Sequence, residues 1–487
     1  MIDLNINKEA LQRTIDHARA CGIVLPTYAE MRDPARIPQH IKERLAKVGL
    51  WDVDPLNLFR VTWHNQPQDM GGLFSGVNLV EFPSELTGVP ASIVALAGKW
   101  FHTGCHKVGA SYSCLVTRLV TGQFDPTYHK AAWPSTGNYC RGGAYNSALL
   151  GCHSIAILPA GMSRERFEWL QGVAGEVIAT PGTESNVKEI FDKVHELRAT
   201  RPDVMIFDQF QELANCLWHY HVTGPALAEA FETVRGGASR LAGVCLTSGS
   251  AGTLSSGDYI KENYPAAKLA ACEALQCPTL LVNGFGEHRI EGIGDKHVPW
   301  IHNAKNSDLV IDIDDEYSHN LLRLFNEAEG RQYLREQLGL EAEYVERLSW
   351  LGISGIANLL SAVKFAKYYE LTADDVVLTV LTDSAAMYGS RLLELKEEKG
   401  AYSVMRAACD HDRFLLGLST DYMEELTYVT RKRIHNLKYY TWVEQQGKTA
   451  AELNAQWYDY DNYWRAMHAQ VEQVDALIVN FNERVGL

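Results

Sequence analysis

RLAGVCLTSGSAGTLSSGDYI, residues 240–260, opens with a short apolar run, passes through the small residues Gly249, Ser250, Ala251, Gly252 and Thr253, and continues into a segment of helical character. An apolar run of this length bounded by glycine reads as a buried strand. Small residues let several backbone N–H groups face one point, and the start of the next helix favours negative charge there. The stretch is therefore either an anion-binding turn or a plain structural turn. It lacks the GK[ST] of a P-loop and the GxGxxG of a dinucleotide fold, which argues against a nicotinamide enzyme.

The same strand–turn–helix rhythm recurs on both sides. SIVALAG (92–98), HSIAILPA (153–160), GEVIATPG (175–182), DVMIFDQF (203–210), AKLAACEA (267–274), DLVIDID (308–314) and VVLTVLT (376–382) alternate with amphipathic segments such as SRERFEWLQGVAG and ESNVKEIFDKVHELRAT. Apolar strands separated by helices predict a mostly parallel sheet covered on both faces, an α/β fold. Residues 1–75 form a helix-rich, aromatic lead broken by RDPARIP and DVDPLN, and residues 401–487 are helical in period and rich in Trp and Tyr.

At 487 residues the chain exceeds one ordinary domain, so two lobes are expected. Hydrophobic residues at 46% and charged residues at 22% exclude extensive disorder. A formal charge of −15 without any Lys/Arg-rich block argues against nucleic acid as a partner. No basic start leads into an apolar run and no long apolar stretch follows, so no membrane association and a cytoplasmic location are expected. Ten scattered cysteines without a CxxC pair read as reduced thiols. His219 and His221 would diverge on a helix and have no third ligand at a telling spacing, so no metal is expected.

Four further stretches carry chemistry. HTGCHKVGAS (102–111) sets Lys107 among small residues, directly behind His106. KAAWP (130–134) feeds Ser135, Thr136, Gly137, Asn138 and Tyr139, whose hydroxyls and free N–H groups suit a carboxylate or simply cap a helix. FGEHRIEGIGDKHVPW (285–300) carries Gly292 and Gly294 around Ile293, and WLGISGIANLLSAVKFAK (350–367) sets Ser354 at a strand-to-helix junction. The set is more specific than its members. A lysine for a Schiff base, a carboxylate-type turn, a phosphate-type nest and a late hydroxyl are what a pyridoxal phosphate site needs.

With these stretches in hand, the chain resembles the fold-type II pyridoxal phosphate enzymes of the tryptophan synthase beta superfamily, particularly the cysteine synthase and cystathionine beta-synthase group. HKVGAS, PSTGNY, GMSRERFEWLQGVAGEVIATPG, DQFQELANCLWHYHVTGPALAEAF, SGSAGT, EHRIEGIG and LGISGIANLLSAVKFAK follow in family order across residues 90–395. The resemblance implies two α/β lobes with pyridoxal 5'-phosphate between them: a large cofactor-binding lobe from 76–105 and 225–400, and a small substrate-closing lobe from 106–224, flanked by the two extensions. It implies Lys107 as the catalytic lysine joined to the cofactor, Asn138 on the cofactor's 3-hydroxyl oxygen, and Ser135, Thr136, Gly137 and Tyr139 on the substrate carboxylate. Gly249 to Thr253 would hold the phosphate and Ser354 would face the pyridine nitrogen. Two departures stand out. The lysine segment resembles the HTG-x-HK pattern of tryptophan synthase beta chains, which implies a phosphate contact for His106; and GISG is one residue shorter than the family's GISSG, which makes Thr382 and Ser384 alternatives to Ser354.

The activity implied is beta-elimination or beta-replacement on a small L-amino acid such as serine, cysteine or an O-acylserine, through an aminoacrylate, by a homodimer. An ammonia-lyase acting on threonine, serine or diaminopropionate is the alternative within the same chemistry, and a non-catalytic cofactor-binding subunit the alternative outside it. Tyr112, Tyr145, His102, Arg141 and His288 lie near the motifs and read as packing or structural hydrogen bonds.

Overall fold

The computed structural model describes residues 1–67, 70–184, 186–236 and 239–487. Its strands, in chain order, are β1 (Leu79–Phe82), β2 (Ser92–Ala97), β3 (Lys130–Pro134), β4 (Ser154–Pro159), β5 (Glu176–Thr180), β6 (Val204–Ile206), β7 (Arg240–Thr247), β8 (Lys268–Ala274), β9 (Leu309–Ile313), β10 (Asp375–Leu381) and β11 (Met423–Glu425). They form a seven-stranded sheet, β1-β2-β10-β7-β8-β9-β11, and a four-stranded sheet, β5-β4-β3-β6. The smaller sheet is parallel throughout. In the larger one only the edge strands β1 and β11 run antiparallel to their neighbours.

The sequence of β10, DVVLTVL, is buried at every position, as is SIAILP of β4. Neither alternates, because helices cover both faces. β1 lies at an edge and does alternate, with Val80 and Phe82 buried and Glu81 exposed. The helix Ile353–Tyr368 is buried along most of its length in the core of the larger sheet. The helix Lys107–Thr121 meets the helix Asn138–Leu149 closely, since a Cβ on Gly142 would come within 2.9 Å of the Val108 backbone.

The chain leaves the larger sheet after β2, builds β3 to β6, and returns at β7; β10 then inserts between β2 and β7. Strand order reverses there, and in open α/β sheets ligands bind outside the carboxyl ends of strands at such a point. The turns after β7 and β10 therefore open to one crevice, and the turn after β3 reaches it from the smaller sheet.

Both extensions pack on this frame. The helix Lys8–Cys21 is capped by Asn7 and ended by Gly22 at φ +69°. The C-terminal segment is helical except for β11, which pairs with β9 and adds a strand that its helical period had hidden. Lys438 anchors it: the buried Nζ donates to the carbonyls of Trp300 (2.8 Å) and His302 (2.5 Å) and to Gln456 Oε1 (2.7 Å). All ten cysteines are free. No single helix among the described residues is long and apolar enough to cross a membrane.

Candidate active site

A narrow cleft opens at the strand ends, and Lys107 lines it together with residues of both sheets' turns. Lys107 heads its helix, and its Nζ donates to Ser250 Oγ at 2.9 Å. Burial lowers the pKa of this ammonium from the usual lysine value, against the opposing pull of Cys105, Asp295 and Cys114. The lysine is thus close to the turn after β7 and biased toward its neutral form.

That turn has the geometry of a nest. Ala251 adopts φ +65°, a left-handed conformation that residues with a side chain rarely take. A Cβ on Gly252 would lie 2.1 Å from Asn215 Oδ1, and one on Gly249 would lie 2.8 Å from the Gly292 carbonyl oxygen. Asn215 Nδ2 in turn donates to Ser250 Oγ (3.2 Å) and to the Gln209 carbonyl (3.1 Å), which fixes the turn from behind. Thr253 leads into the helix Leu254–Asn263.

The turn after β3 lies across the cleft, which Ser135, Thr136, Asn138 and Tyr139 line. Gly137 sits at φ +149°, its N–H donates to Ser135 Oγ at 3.1 Å, and a Cβ there would strike the Arg166 side chain at 2.6 Å. Asn138 Nδ2 donates to Asp383 Oδ2 at 2.8 Å. The Tyr139 hydroxyl is buried without a hydrogen-bond partner among the described residues.

Gly137, Ala251, Gly252 and Thr253 belong to the two turns without lining the cleft, and His106 and Ser354 lie behind them. His106 is buried, its ring 5.6 Å from that of Trp63 in a stack and 5.2 Å from that of His219. Its Nε2 stands 3.5 Å from Thr253 Oγ1. Burial first, then the charge of Lys107, lowers its pKa to about 3, so the imidazole is neutral. Ser354 is fully buried, its Oγ without a partner among the described residues, behind Gly292, where an added Cβ would lie 3.8 Å from it. Of the alternative hydroxyls, Thr382 lines the cleft and Ser384 is buried beside it in sequence.

The cleft also contains residues that the motifs had not singled out: Glu184, Gln209, Phe210 and Asp295. Asp295 directly follows the Gly292–Gly294 turn, and Glu184 follows Gly182, so acidic residues at glycine turns were the available signal. Arg166 supports the whole arrangement. Its guanidinium donates to the Thr136 carbonyl (3.0 Å) and the Tyr388 hydroxyl (2.9 Å) and pairs with Glu291 (2.8 Å) and Asp383 (3.7 Å). Of the secondary candidates, Tyr112 donates to the Pro26 carbonyl (2.6 Å), Arg141 to the Thr103 carbonyl (2.9 Å), and the His288 ring contacts the Gly294 carbonyl (3.2 Å). The Tyr145 hydroxyl donates to the Asp52 carbonyl, and the His102 ring packs 4.8 Å from the Tyr145 ring.

Residues 102–383, which contain the lysine and the turns after β3 and β7, match the family model of the pyridoxal-phosphate dependent enzymes. The chain belongs to that family. It is 29% identical over 287 residues to the probable cysteine synthase of Bacillus subtilis, covering 59% of this chain and 84% of that one. It is 25% identical over 335 residues to the cystathionine beta-synthase of Saccharomyces cerevisiae, covering 67% and 62%. Among solved structures, the O-acetylserine dependent cystathionine beta-synthase of Helicobacter pylori is similar at a TM-score of 0.53 and 25% identity, covering 64% of this chain and 95% of that one. The cofactor of such an enzyme, pyridoxal phosphate, fits this cleft: a partly desolvated lysine faces a nest whose glycines leave no room for side chains, as a closely approached phosphate requires.

Proposed function

We propose that this pyridoxal-phosphate dependent enzyme carries out beta-elimination or beta-replacement on a small L-amino acid of the serine, cysteine or O-acylserine type. The observation that carries the reading is the position of Lys107 Nζ, 2.9 Å from Ser250 Oγ, in a cleft that it shares with the Ser135–Tyr139 turn. The similarity to cysteine synthases and to cystathionine beta-synthases supports the substrate class.

In this reading Lys107 attaches the cofactor, Gly249 to Thr253 hold its phosphate with His106 behind Thr253, and Asn138 contacts its 3-hydroxyl oxygen. Ser354, Thr382 or Ser384 supplies the neutral hydroxyl at its ring nitrogen; Thr382 has the better claim, because it lines the cleft and Ser354 does not. The bound cofactor supplies an electron sink that weakens the bonds to the amino acid's α carbon. Ser135, Thr136, Gly137 and Tyr139 hold the substrate carboxylate and fix which of those bonds faces Lys107. Lys107, released as an amine and kept neutral by burial, takes the α proton and returns a proton to the leaving group.

The reading carries a cytoplasmic homodimer with it, consistent with ten free cysteines, and light scattering of the purified protein checks the assembly. The activity is tested by incubating the holoenzyme with O-acetyl-L-serine, L-serine and L-cysteine, with and without an added thiol, and following acetate, sulfide, pyruvate and the thioether product. Release of a β substituent from at least one is expected; none from any would contradict the reading.

A further inference from the structure

Away from the cleft, distant parts of the chain enclose a cavity of about 220 Å³. Its walls are the helix headed by Lys107, the segment 211–214, residues 1–3 and the C-terminal extension, and the buried Trp300 and Tyr463 close its floor. Ile2 straps the outer wall: its N–H donates to Gln470 Oε1 and its carbonyl accepts from Gln470 Nε2, both at 2.9 Å.

The charged groups around this cavity are not spent on one another. Arg118 Nη2 donates to Glu212 Oε1 at 2.7 Å, but Glu212 Oε2 accepts no hydrogen bond from the described residues. Lys448 Nζ, 5.6 Å from the Trp300 ring, has no carboxylate at ion-pair distance among them. Glu452 uses Oε2 to cap its helix through Thr449 and leaves Oε1 unbonded among them. Asp3 is taken by Asn5, whose side chain donates to it at 2.7 Å. One free ammonium and two free carboxylate oxygens around one cavity suit a ligand that carries both signs. A plain anion would face Glu212 and Glu452, and a plain cation would face Lys448.

One short segment lies between this cavity and the active site. Gln209 and Phe210 line the cleft, whereas residues 211–214 line the cavity. The Glu212 carbonyl accepts from the Asn215 N–H at 3.0 Å, and Asn215 Nδ2 holds Ser250 Oγ at 3.2 Å. A ligand that draws on the Glu212 side chain competes with Arg118 and shifts the residue on which those contacts rest.

We propose that this cavity is a second binding site, for a free α-amino acid: Lys448 takes its carboxylate, and Glu212 and Glu452 take its ammonium group. Occupation loosens the hold of the nest on the cofactor, so the site is inhibitory. Binding requires only the cavity; inhibition also rests on the reading that residues 249–253 hold the cofactor phosphate.

The probe is N,N-dimethylglycine, a zwitterion whose tertiary amine forms no Schiff base and so leaves the cofactor's aldehyde alone. In calorimetric titration of the holoenzyme it should bind about fivefold tighter than isovalerate or 2-dimethylaminoethanol, which keep its shape and one charge each. Lys448→Met, and Glu452→Gln, which keeps the helix cap, should each weaken that binding about fivefold, with the melting temperature followed to show that the fold is kept. Equilibrium dialysis at saturating probe should give a pyridoxal phosphate dissociation constant raised about fivefold, and the same probe concentration should leave it unmoved in Lys448→Met. No preference for the zwitterion over both analogues, or equal binding by the parent and both variants, would overturn the site. Probe binding without a change in cofactor affinity would overturn the inhibition. Failure of the parent protein to bind pyridoxal phosphate would overturn the reading of the nest, and the inhibition with it.

Discussion

A single methyl group at position 252 would lie 2.1 Å from Asn215 Oδ1. Asn215 is also the residue that holds Ser250 Oγ, so a side chain at 252 would move the nest and the acceptor of Lys107 together. Gly252→Ala should weaken cofactor binding by about tenfold or more, the scale of one lost charge-assisted contact, as measured by equilibrium dialysis of pyridoxal phosphate; unchanged affinity would contradict the role given to this turn. Much of the cleft lining was legible at this scale, because Lys107, Ser135, Thr136, Asn138, Tyr139, Gly249 and Ser250 lie within runs of small and hydroxylated residues at strand-to-helix turns. Ser354 was less legible. Its LGISG setting resembles a ligand turn, yet the flanking Ile353 and Ile356 bury that first helical turn in the core, and the hydroxyl is sealed behind Gly292.

The helix Arg164–Val173 shows what periodicity leaves out. SRERFEWLQ reads as an amphipathic segment with its charges in solvent, and Arg164 and Glu168 do lie there, 68% and 65% exposed. Arg166 points the other way and is fully buried, because Glu291 and Asp383, more than a hundred residues further along, supply its counter-charges. Periodicity within one element carries no information about partners so distant in the chain. The helix thereby ties the turn after β3, through the Thr136 carbonyl, to the segment after β10. Arg166→Met should destabilise the protein by about 3–5 kcal/mol in denaturant unfolding, since it strands buried carboxylates rather than removing a whole pair. A loss below about 1 kcal/mol, the value of an exposed pair, would show that the network does not hold the two segments together.

At the scale of the whole molecule, the α/β class followed from unbroken apolar strands, whereas β11 did not, since three residues, Met423–Glu425, give no period to read. The depth of the core sets a pH limit. His102, His106, His302, His435 and His468 are lowered by burial to about 3 from a usual 6.5. Their folded-state values are depressed, so below pH 6.5 the unfolded chain binds protons that the folded chain refuses, and stability falls with falling pH. Buried acids such as Asp258, raised to about 7, and Glu184, raised to about 8, run the opposite way, but their opposition fades once unfolded carboxyls also take up protons near pH 4. The melting temperature should therefore drop steeply from about pH 5 to 3.5; a flat profile over that range would contradict neutral, buried imidazoles. The central claim, that one lysine at the strand-order reversal carries the cofactor, has a direct test. The holoenzyme is reduced with borohydride, which fixes any lysine–carbonyl bond, then digested and sequenced by mass spectrometry. The account predicts a pyridoxyl adduct on Lys107 alone; an adduct on another buried lysine such as Lys364 or Lys438, or on none, would contradict it.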